Sequence, residues 1–259
     1  MKDTLLYLFL ILGFQFSVKG QSVFIDKALS AHDHKRKNPL FDAINIGFNG
    51  ISAEIKLNKN GELYCGKRKF KEAYLEPLKV RSENGIKNIH PTHTDEFILF
   101  FEITSDSNAT FEAILREIEP YKEIFTSFEG TKRIKKPVRL IIGGNVPYTK
   151  IFNSSKRYLF AEESVLSINH TKDATVTFLA GLSLKSNYTW NGERNMPNME
   201  YMNLITHVKN AHKAGRLVRL YEIPELPNAY DILYGSGIDL IEIEDINGFS
   251  TYWKNRKLN

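Results

Sequence analysis

Short apolar runs alternate with helical patterns along almost the whole chain, and this alternation limits the fold more than any other feature. Eight runs have the length and composition of strands, and most are separated from the next by a segment with apolar residues at helical spacing. Such an alternation favours βαβ units and a parallel sheet. A chain of 259 residues also has the usual size of one α/β barrel. We therefore predict a (β/α)8 barrel.

The eight predicted strands share a short apolar core bounded by turn or polar residues. They are Ala28–His32, Ile51–Leu57, Phe97–Ile103, Pro137–Ile142, Tyr158–Ala161, Thr175–Ala180, Leu217–Tyr221 and Ile238–Ile243. The clearest predicted helices are Pro39–Phe48, Asn108–Phe128, Met199–Ala214 and Asn228–Tyr234. Arg81–Thr94 lacks clear periodicity, and we expect a loop at the barrel mouth there. A doubly wound open sheet is the alternative fold, but no glycine-rich phosphate loop follows any strand.

The N-terminus has the pattern of a secretory signal. Lys2 precedes an uncharged apolar run over residues 5–16, and small or aliphatic residues follow up to Gly20. The run is too short to span a bilayer comfortably. We predict a signal peptide over residues 1–20, with an uncleaved anchor as the alternative, and one domain over residues 21–259. The mature chain would then be secreted or periplasmic and have no integral membrane span.

Charge and cysteine content exclude several classes of protein. Cys65 is the only cysteine, so neither an intramolecular disulfide nor a cysteine-based zinc site can form. The net charge is +5, but the basic residues are spread along the chain in short clusters. A nucleic-acid surface would need a longer basic stripe with interleaved aromatic residues, so we expect no nucleic-acid partner. The sign of the charge does suit an anionic phosphate or a phospholipid head group.

Polar side chains at the ends of the predicted strands are the candidates for chemistry, because active sites of α/β barrels lie there. Oxygen ligands suit Ca²⁺ or Mg²⁺, and such a cation beside a histidine can cleave a phosphodiester. The alternative is that these acids form ordinary ion pairs with arginine and lysine. Tyr188 and Trp190 could form an aromatic wall near the mouth or pack in the core. The strand-end candidates are His32, His34, Glu54, Glu102, Glu162, Arg219, Tyr221, Glu242 and Glu244.

A series of short motifs runs through most of the chain. They are Ala31–His34, Pro39–Ala43, Ile51–Glu54, Gly61–Tyr64, Tyr74–Leu78, Leu99–Ile103, Trp190–Gly192, Ala211–Arg219 and Gly237–Glu242. In order and spacing they resemble glycerophosphodiester phosphodiesterases and phosphatidylinositol phospholipase C-like proteins, in particular the altered-inheritance-of-mitochondria branch. The resemblance implies a barrel that cleaves phosphodiesters with a metal ion and two histidines as acid and base.

Several positions depart from the pattern of that family. His32 matches the first catalytic histidine, but Lys67 stands where the second is expected, and His34 is a candidate to replace it. Lysine is normally protonated, so Lys67 could act as an acid or an electrophile more readily than as a base. Losing one histidine of a pair commonly costs ~10²–10⁴-fold in rate.

The metal ligands implied by the resemblance are also altered. Glu54 stands where the family has an aspartate, and Glu102 matches the acidic position on the third strand. Ser52 replaces the first metal-binding glutamate, and a serine hydroxyl is a poorer ligand for a hard cation than a carboxylate. We therefore expect a Ca²⁺ or Mg²⁺ cofactor to be weakly bound or absent.

Two functions remain open from the sequence. The first is a phosphoric diester hydrolase of lipid metabolism, acting on a glycerophosphodiester or phospholipid-like substrate. His32 would be its acid or base, Glu54 and Glu102 would hold the cation, and Lys67 or Arg219 would neutralise the phosphate. The second is a barrel that has lost turnover and binds a phosphate-bearing or glycan ligand.

Overall fold

The computed structural model describes residues 23–170 and 173–258, so the predicted signal peptide lies outside the described residues. Its strands, in chain order, are β1 (Ala28–Ser30), β2 (Gly50–Leu57), β3 (Leu63–Cys65), β4 (Arg68–Lys69), β5 (Phe97–Ile103), β6 (Ser127–Glu129), β7 (Lys132–Ile134), β8 (Val138–Gly144), β9 (Lys156–Arg157), β10 (Leu159–Ser164), β11 (Thr177–Ser183), β12 (Leu217–Tyr221) and β13 (Leu240–Ile243). Its helices are α1 (Phe41–Ile46), α2 (Glu76–Arg81), α3 (Ser107–Ile118), α4 (Tyr148–Asn153), α5 (Leu184–Asn187), α6 (Asn198–Lys213), α7 (Pro227–Gly235) and α8 (Ile246–Leu258).

Eight of these strands are parallel and close into a barrel, which confirms the predicted (β/α)8 fold. Around the barrel the order is β1, β2, β5, β8, β10, β11, β12 and β13, and β13 pairs with β1 again. Ser30 beside Ile51 joins the first two strands and completes the ring. Each predicted strand overlaps a barrel strand, although the ends differ by a few residues.

The barrel strands are buried on both faces, which explains their nearly continuous apolar runs. One face packs against the helices in a large outer core, and the other fills the barrel. A layer of large apolar side chains closes the barrel interior between its two ends. These residues are Leu29, Ile98, Phe100, Ile141, Phe160, Leu179 and Leu240. The site described below lies above this layer, at the C-terminal ends of the strands.

Two local predictions were wrong for identifiable reasons. The helix predicted to reach Phe128 ends at Ile118, because a 3₁₀ turn containing Pro120 follows and leads into β6 of a small antiparallel sheet. The segment before β5 lies at the N-terminal end of the barrel and not at its mouth, because it connects a helix to the next strand. His90 in this segment bonds the Phe48 carbonyl through Nε2 at 2.9 Å, just before β2.

Within the two described ranges, no helix combines the length and apolar character that crossing a membrane requires. The single cysteine, Cys65, is buried in β3, and burial raises the pKa of its thiol well above the ordinary value. This placement agrees with a packing role for that side chain.

Candidate functional site at the barrel mouth

A cavity of about 780 Å³ opens at the C-terminal ends of the barrel strands. Acidic side chains dominate its lining, with Arg219 and His32 as the basic members among the described residues. The acidic residues come from strand ends and from the loops that follow β12 and β13. They are Glu54, Glu102, Glu162, Glu222, Glu225, Glu242, Glu244 and Asp245.

Arg219 of β12 lies at the floor of the cavity, between two glutamates from other strands. Its Nε and Nη2 donate to the two carboxylate oxygens of Glu162 at 2.6 and 2.7 Å, and Nη1 donates to Glu242. The guanidinium carbon lies 4.2 Å from the ring centre of Phe100 and 4.6 Å from that of Tyr221. Bidentate pairing and stacking of this kind fix an arginine in one orientation.

The two carboxylates also stabilise the charged form of Arg219. Burial alone would lower the pKa of this guanidinium, but Glu162 and Glu242 outweigh the desolvation and raise its pKa above the ordinary value. Arg219 is 5% exposed, so the ion pair is sheltered from water. The interaction is therefore a buried three-membered ionic network and not a surface salt bridge.

Glycines on β8 and β11, the two strands that flank β10, make room for the Glu162 carboxylate. A Cβ added at Gly181 of β11 would lie 2.5 Å from Glu162 Oε1, and one at Gly143 of β8 would lie 3.2 Å from Oε2. Any larger side chain at position 181 would displace the carboxylate from Arg219. The glycines are thus part of what positions this network.

Glu54 and Glu102 form a second acidic pair nearer the opening. They are register partners on the adjacent strands β2 and β5, so their side chains leave the barrel on the same side. The pKa of Glu102 is raised, chiefly by desolvation; Arg219 opposes this and the neighbouring carboxylates add to it. Ser52 lies two residues before Glu54, lines the cavity and is 8% exposed.

His32 reaches the cavity from the loop after β1. Its backbone is in the left-handed region, with φ of 48°, which is uncommon for a non-glycine residue and is found at functional sites. Its Nε2 lies 3.5 Å from Glu244 Oε1. Arg36 supports the loop by donating to the Ser30 hydroxyl and to the Glu244 carbonyl, at 2.7 and 2.9 Å.

Asp33 anchors the same loop from below. It is fully buried, and its Oδ2 accepts hydrogen bonds from Leu40 N at 2.7 Å and from the Tyr74 hydroxyl at 3.0 Å. Its Oδ1 has no hydrogen-bond partner among the described residues. Burial raises the pKa of this carboxyl to about 6, although these hydrogen bonds and Arg36 act in the opposite direction.

His34 lies beneath the mouth and outside the cavity lining. Its side chain is 5% exposed, and Nδ1 accepts a hydrogen bond from the backbone N–H of Glu54 at 3.1 Å. Nε2 then carries the proton and lies 3.9 Å from Glu54 Oε1. Burial lowers the pKa of this imidazole, and Glu54 partly offsets the effect. His34 is therefore placed to hold Glu54 and the edge of β2 in position.

Lys67 and Trp190 are not brought to the cavity. Lys67 lies in the two-residue turn between β3 and β4 and is exposed. Trp190 is 8% exposed and packs in the outer core, with its indole Nε1 donating to the Arg194 carbonyl at 2.7 Å. Tyr221, one of the strand-end candidates, does line the cavity and is half-buried beside Arg219.

More than half of the chain, residues 20–162, matches the family profile described as the AIM6-like phosphodiesterase domain. The chain belongs to this family. It is also similar to altered inheritance of mitochondria protein 6 of Eremothecium gossypii, at 22% identity over 267 residues. That match covers 86% of this chain and 68% of the relative.

Solved structures with the same fold include glycerophosphodiester phosphodiesterases. A glycerophosphodiester phosphodiesterase from Parabacteroides distasonis aligns with 90% of this chain and 98% of its own, with a TM-score of 0.56 and 12% identity. One from Agrobacterium tumefaciens aligns with 87% of this chain and 100% of its own, with a TM-score of 0.51 and 11% identity. At these identities the likeness shows the fold alone.

The divalent cation implied by the fold family does not suit the side chains present. Glu162 and Glu242 already direct their oxygens to Arg219, and Ser52 contributes a neutral hydroxyl. Across residues 23–170 and 173–258, no group of three or more histidine, cysteine, aspartate or glutamate side chains is arranged to hold a metal ion. A hard cation binds through carboxylate, carbonyl and water oxygens, and of the carboxylates here Glu162 and Glu242 are engaged by Arg219.

The acidic residues that the loop after β12 brings to the mouth were not identified from the sequence. Glu225, after β12, accepts a hydrogen bond from Asp245 N at 2.9 Å and another from Glu244 N, which ties the last two loops together. Glu222 accepts a hydrogen bond from the Ser183 hydroxyl. Their sequence signal is weak, because neither residue lies within an apolar pattern that would fix its direction.

Proposed function

We propose that this phosphodiesterase-type protein binds a small phosphodiester or phospholipid head group at its mouth and has lost most or all turnover. One observation carries the proposal. Of the three side chains expected to act as acid, base or electrophile, His32 lines the cavity, whereas His34 and Lys67 do not. General acid–base catalysis requires the group to lie within hydrogen-bond reach of the proton that it transfers.

The expected loss of rate follows from known magnitudes. Each missing acid or base commonly costs ~10²–10⁴-fold in rate. A cation that stabilises charge on the phosphoryl oxygens would contribute several kcal/mol more, as a typical magnitude. Arg219 engages Glu162 and Glu242, and Glu54 and Glu102 are joined in the lining by the neutral hydroxyl of Ser52. Together these losses would bring hydrolysis close to the rate without enzyme.

The charge of the mouth favours particular ligands. Glu54, Glu102 and Glu244 remain outside the Arg219 network, and a bare phosphate would meet net repulsion from them. A head group that carries an ammonium could place it against these carboxylates. We therefore propose that zwitterionic phosphodiesters bind more tightly than glycerol phosphate, and that a hydroxyl-rich glycan is the next best ligand.

A second candidate is slow hydrolysis that depends on His32. The 3.5 Å separation between His32 Nε2 and Glu244 Oε1 favours it, because the carboxylate could orient the imidazole toward the cavity. In that reaction water would attack phosphorus, the ester P–O bond would break, and the imidazolium would donate a proton to the leaving oxygen. The proton lost by the attacking water would pass to solvent, and the imidazole would regain a proton from solvent. We also propose that the protein acts after export, on lipid-derived ligands.

Hydrolysis of a chromogenic phosphodiester by the purified mature chain tests the loss of turnover. The assay is run in parallel with EDTA, Ca²⁺ and Mg²⁺, with His32→Ala as the matched control. We expect no difference between the wild type and His32→Ala under any condition. Turnover that needs a cation and disappears in His32→Ala would contradict the proposal.

Ligand-induced stabilisation tests the binding half of the proposal. We expect glycerophosphoethanolamine and glycerophosphocholine to raise the melting temperature more than glycerol 3-phosphate does, because of their ammonium groups. Glu102→Gln removes one carboxylate from the rim and should weaken this preference. An equal response to all three compounds, or a stronger response to glycerol 3-phosphate, would contradict the charge argument.

A further inference from the structure

We propose that Arg219 is a built-in cation that takes the place of the divalent metal ion in this barrel mouth. The guanidinium lies between carboxylates from β10 and β13, where a cluster of acids would otherwise need a bound ion. The inference rests on this ionic network, and it holds whether or not the mouth turns over a substrate.

The first argument is the electrostatics of the two glutamates. Glu162 and Glu242 have side chains only 11% and 12% exposed, so leaving both ionised without a cation would be costly. Arg219 donates two hydrogen bonds to one of them and one to the other. It therefore supplies one positive charge between the two carboxylates, where a divalent metal ion would supply two.

The second argument is that the arginine is held rigidly. Phe100 and Tyr221 stack on the guanidinium, and Gly143 and Gly181 leave space for the partner carboxylate. A side chain that could swing away would leave room for a metal ion. This guanidinium makes three hydrogen bonds and two stacking contacts, so exchange with a dissolved cation would require breaking the whole network.

The third argument concerns what would remain without Arg219. Glu162 and Glu242 would then lack their cation, and Glu102 lines the same cavity. While Arg219 holds the first two, the described acids are not arranged to hold a metal ion. Carboxylate oxygens are the ligands that Ca²⁺ and Mg²⁺ prefer. Removing the arginine should therefore convert the mouth from a closed ion pair into a site that responds to divalent cations.

Thermal unfolding in EDTA, Ca²⁺ and Mg²⁺ tests the inference with wild type and Arg219→Gln. We expect the melting temperature of wild type to be the same in all three buffers. Arg219→Gln should unfold at a lower temperature in EDTA and recover part of the loss in Ca²⁺. Arg219→Lys keeps the positive charge and should show no such recovery.

Arg216→Gln is the matched control. Arg216 is equally buried, bonds Glu163 at 2.7 Å and does not line the mouth cavity. Its loss should lower the melting temperature equally in every buffer. A cation response in Arg216→Gln as large as in Arg219→Gln would contradict the inference, because it would not depend on the mouth.

The wild-type titration decides the case if Arg219→Gln does not fold. Calorimetric titration with Ca²⁺ and Mg²⁺ compares the wild type with Glu102→Gln. We expect no cation binding to the wild type that depends on the Glu102 carboxylate. Binding of one cation per chain to the wild type, lost in Glu102→Gln, would place a metal ion in the mouth and overturn the inference. A folded Arg219→Gln variant without any cation response would overturn it equally.

Discussion

The two ends of the barrel each hold a buried arginine stacked on aromatic rings, but their charge balance is opposite. At the mouth, Arg219 bonds two glutamates, Glu162 and Glu242. At the N-terminal end, Arg139 and Arg133 share one glutamate, Glu96. The Arg219 network therefore has more carboxylates than guanidinium groups, and the Arg139 network has fewer.

The pKa values of the two arginines follow this difference. Burial lowers the pKa of Arg139 to about 10, because Glu96 only partly offsets desolvation and Arg133 adds to it. Burial acts on Arg219 in the same direction, but two carboxylates reverse the outcome. Stacking is similar, since the Arg139 guanidinium carbon lies 3.8 Å from the ring centre of Phe178. Both arginines are buried, so the number of acidic partners explains why the pKa is raised in Arg219 and lowered in Arg139.

The largest expected effect is the loss of Arg219. Arg219→Gln leaves two buried carboxylates without a cation, and removing one partner of a buried ion pair typically costs ~3–5 kcal/mol in the free energy of unfolding. Urea denaturation in EDTA measures the change. A loss below about 1 kcal/mol, the scale of an exposed pair, would show that water already screens this network.

The next effect concerns Asp33, a buried carboxyl near the mouth whose Oδ1 lacks a hydrogen-bond partner among the described residues. Its pKa is raised to about 6 in the folded chain, from an ordinary 3.8, so the fold favours the protonated form. Its stabilising contribution is thus complete below about pH 4 and is lost as the pH rises through about 6.

Asp33→Asn removes this titration. Between about pH 4 and pH 7, wild type should lose about 3 kcal/mol of unfolding free energy relative to Asp33→Asn, as the shift of about two units implies. Chemical denaturation of both proteins across this range gives the difference directly. A difference that does not change with pH would show that folding does not shift the pKa of Asp33.

A smaller effect is expected at the opposite end of the barrel. After Arg139→Gln, Glu96 still accepts hydrogen bonds from Arg133 and from the Thr126 hydroxyl, so no buried carboxylate is orphaned. We expect a loss of ~1–2 kcal/mol, mainly from packing and from an unsatisfied amide. If Arg139→Gln proved as damaging as Arg219→Gln, the number of carboxylates would not be the deciding factor.

The smallest effect is expected for Lys67, which lies outside both networks. Lys67→Ala should change stability by less than about 0.5 kcal/mol, as is usual for exposed positions away from special features. It should also leave ligand-induced stabilisation unchanged. Weaker ligand binding by this variant would mean that the turn between β3 and β4 folds over the mouth when a ligand is present.

Much of the fold could be predicted because strands buried on both faces leave a simple signal. Runs such as Phe97–Ile103 are apolar on both faces apart from Glu102. Side chains alternate along each strand, so Glu54 and its register partner Glu102 lie on the same side. The partners of Arg219 could not be predicted, because they come from strands 57 and 23 residues away in sequence. Its position at a strand end suggested contact with phosphate, whereas its donors are used within the protein.

The directions of side chains in the loops could not be predicted from sequence patterns either. Lys67 was expected at the site by alignment of motifs, but a two-residue turn after β3 places it at the surface. Trp190 follows the short helix α5, and only the packing of the outer core decides that its indole points inward. Loops carry little periodicity, so their side-chain directions depend on contacts made far away in sequence.

The metal content of the purified wild-type chain tests the central claim most directly. The protein is dialysed against Ca²⁺ and Mg²⁺, passed through a metal-free desalting column, and analysed by elemental mass spectrometry together with Arg219→Gln. The account predicts far less than one metal ion per chain in the wild type and a clear gain in the variant. One tightly held ion per wild-type chain would contradict it, because the mouth would then need a metal ion in addition to Arg219.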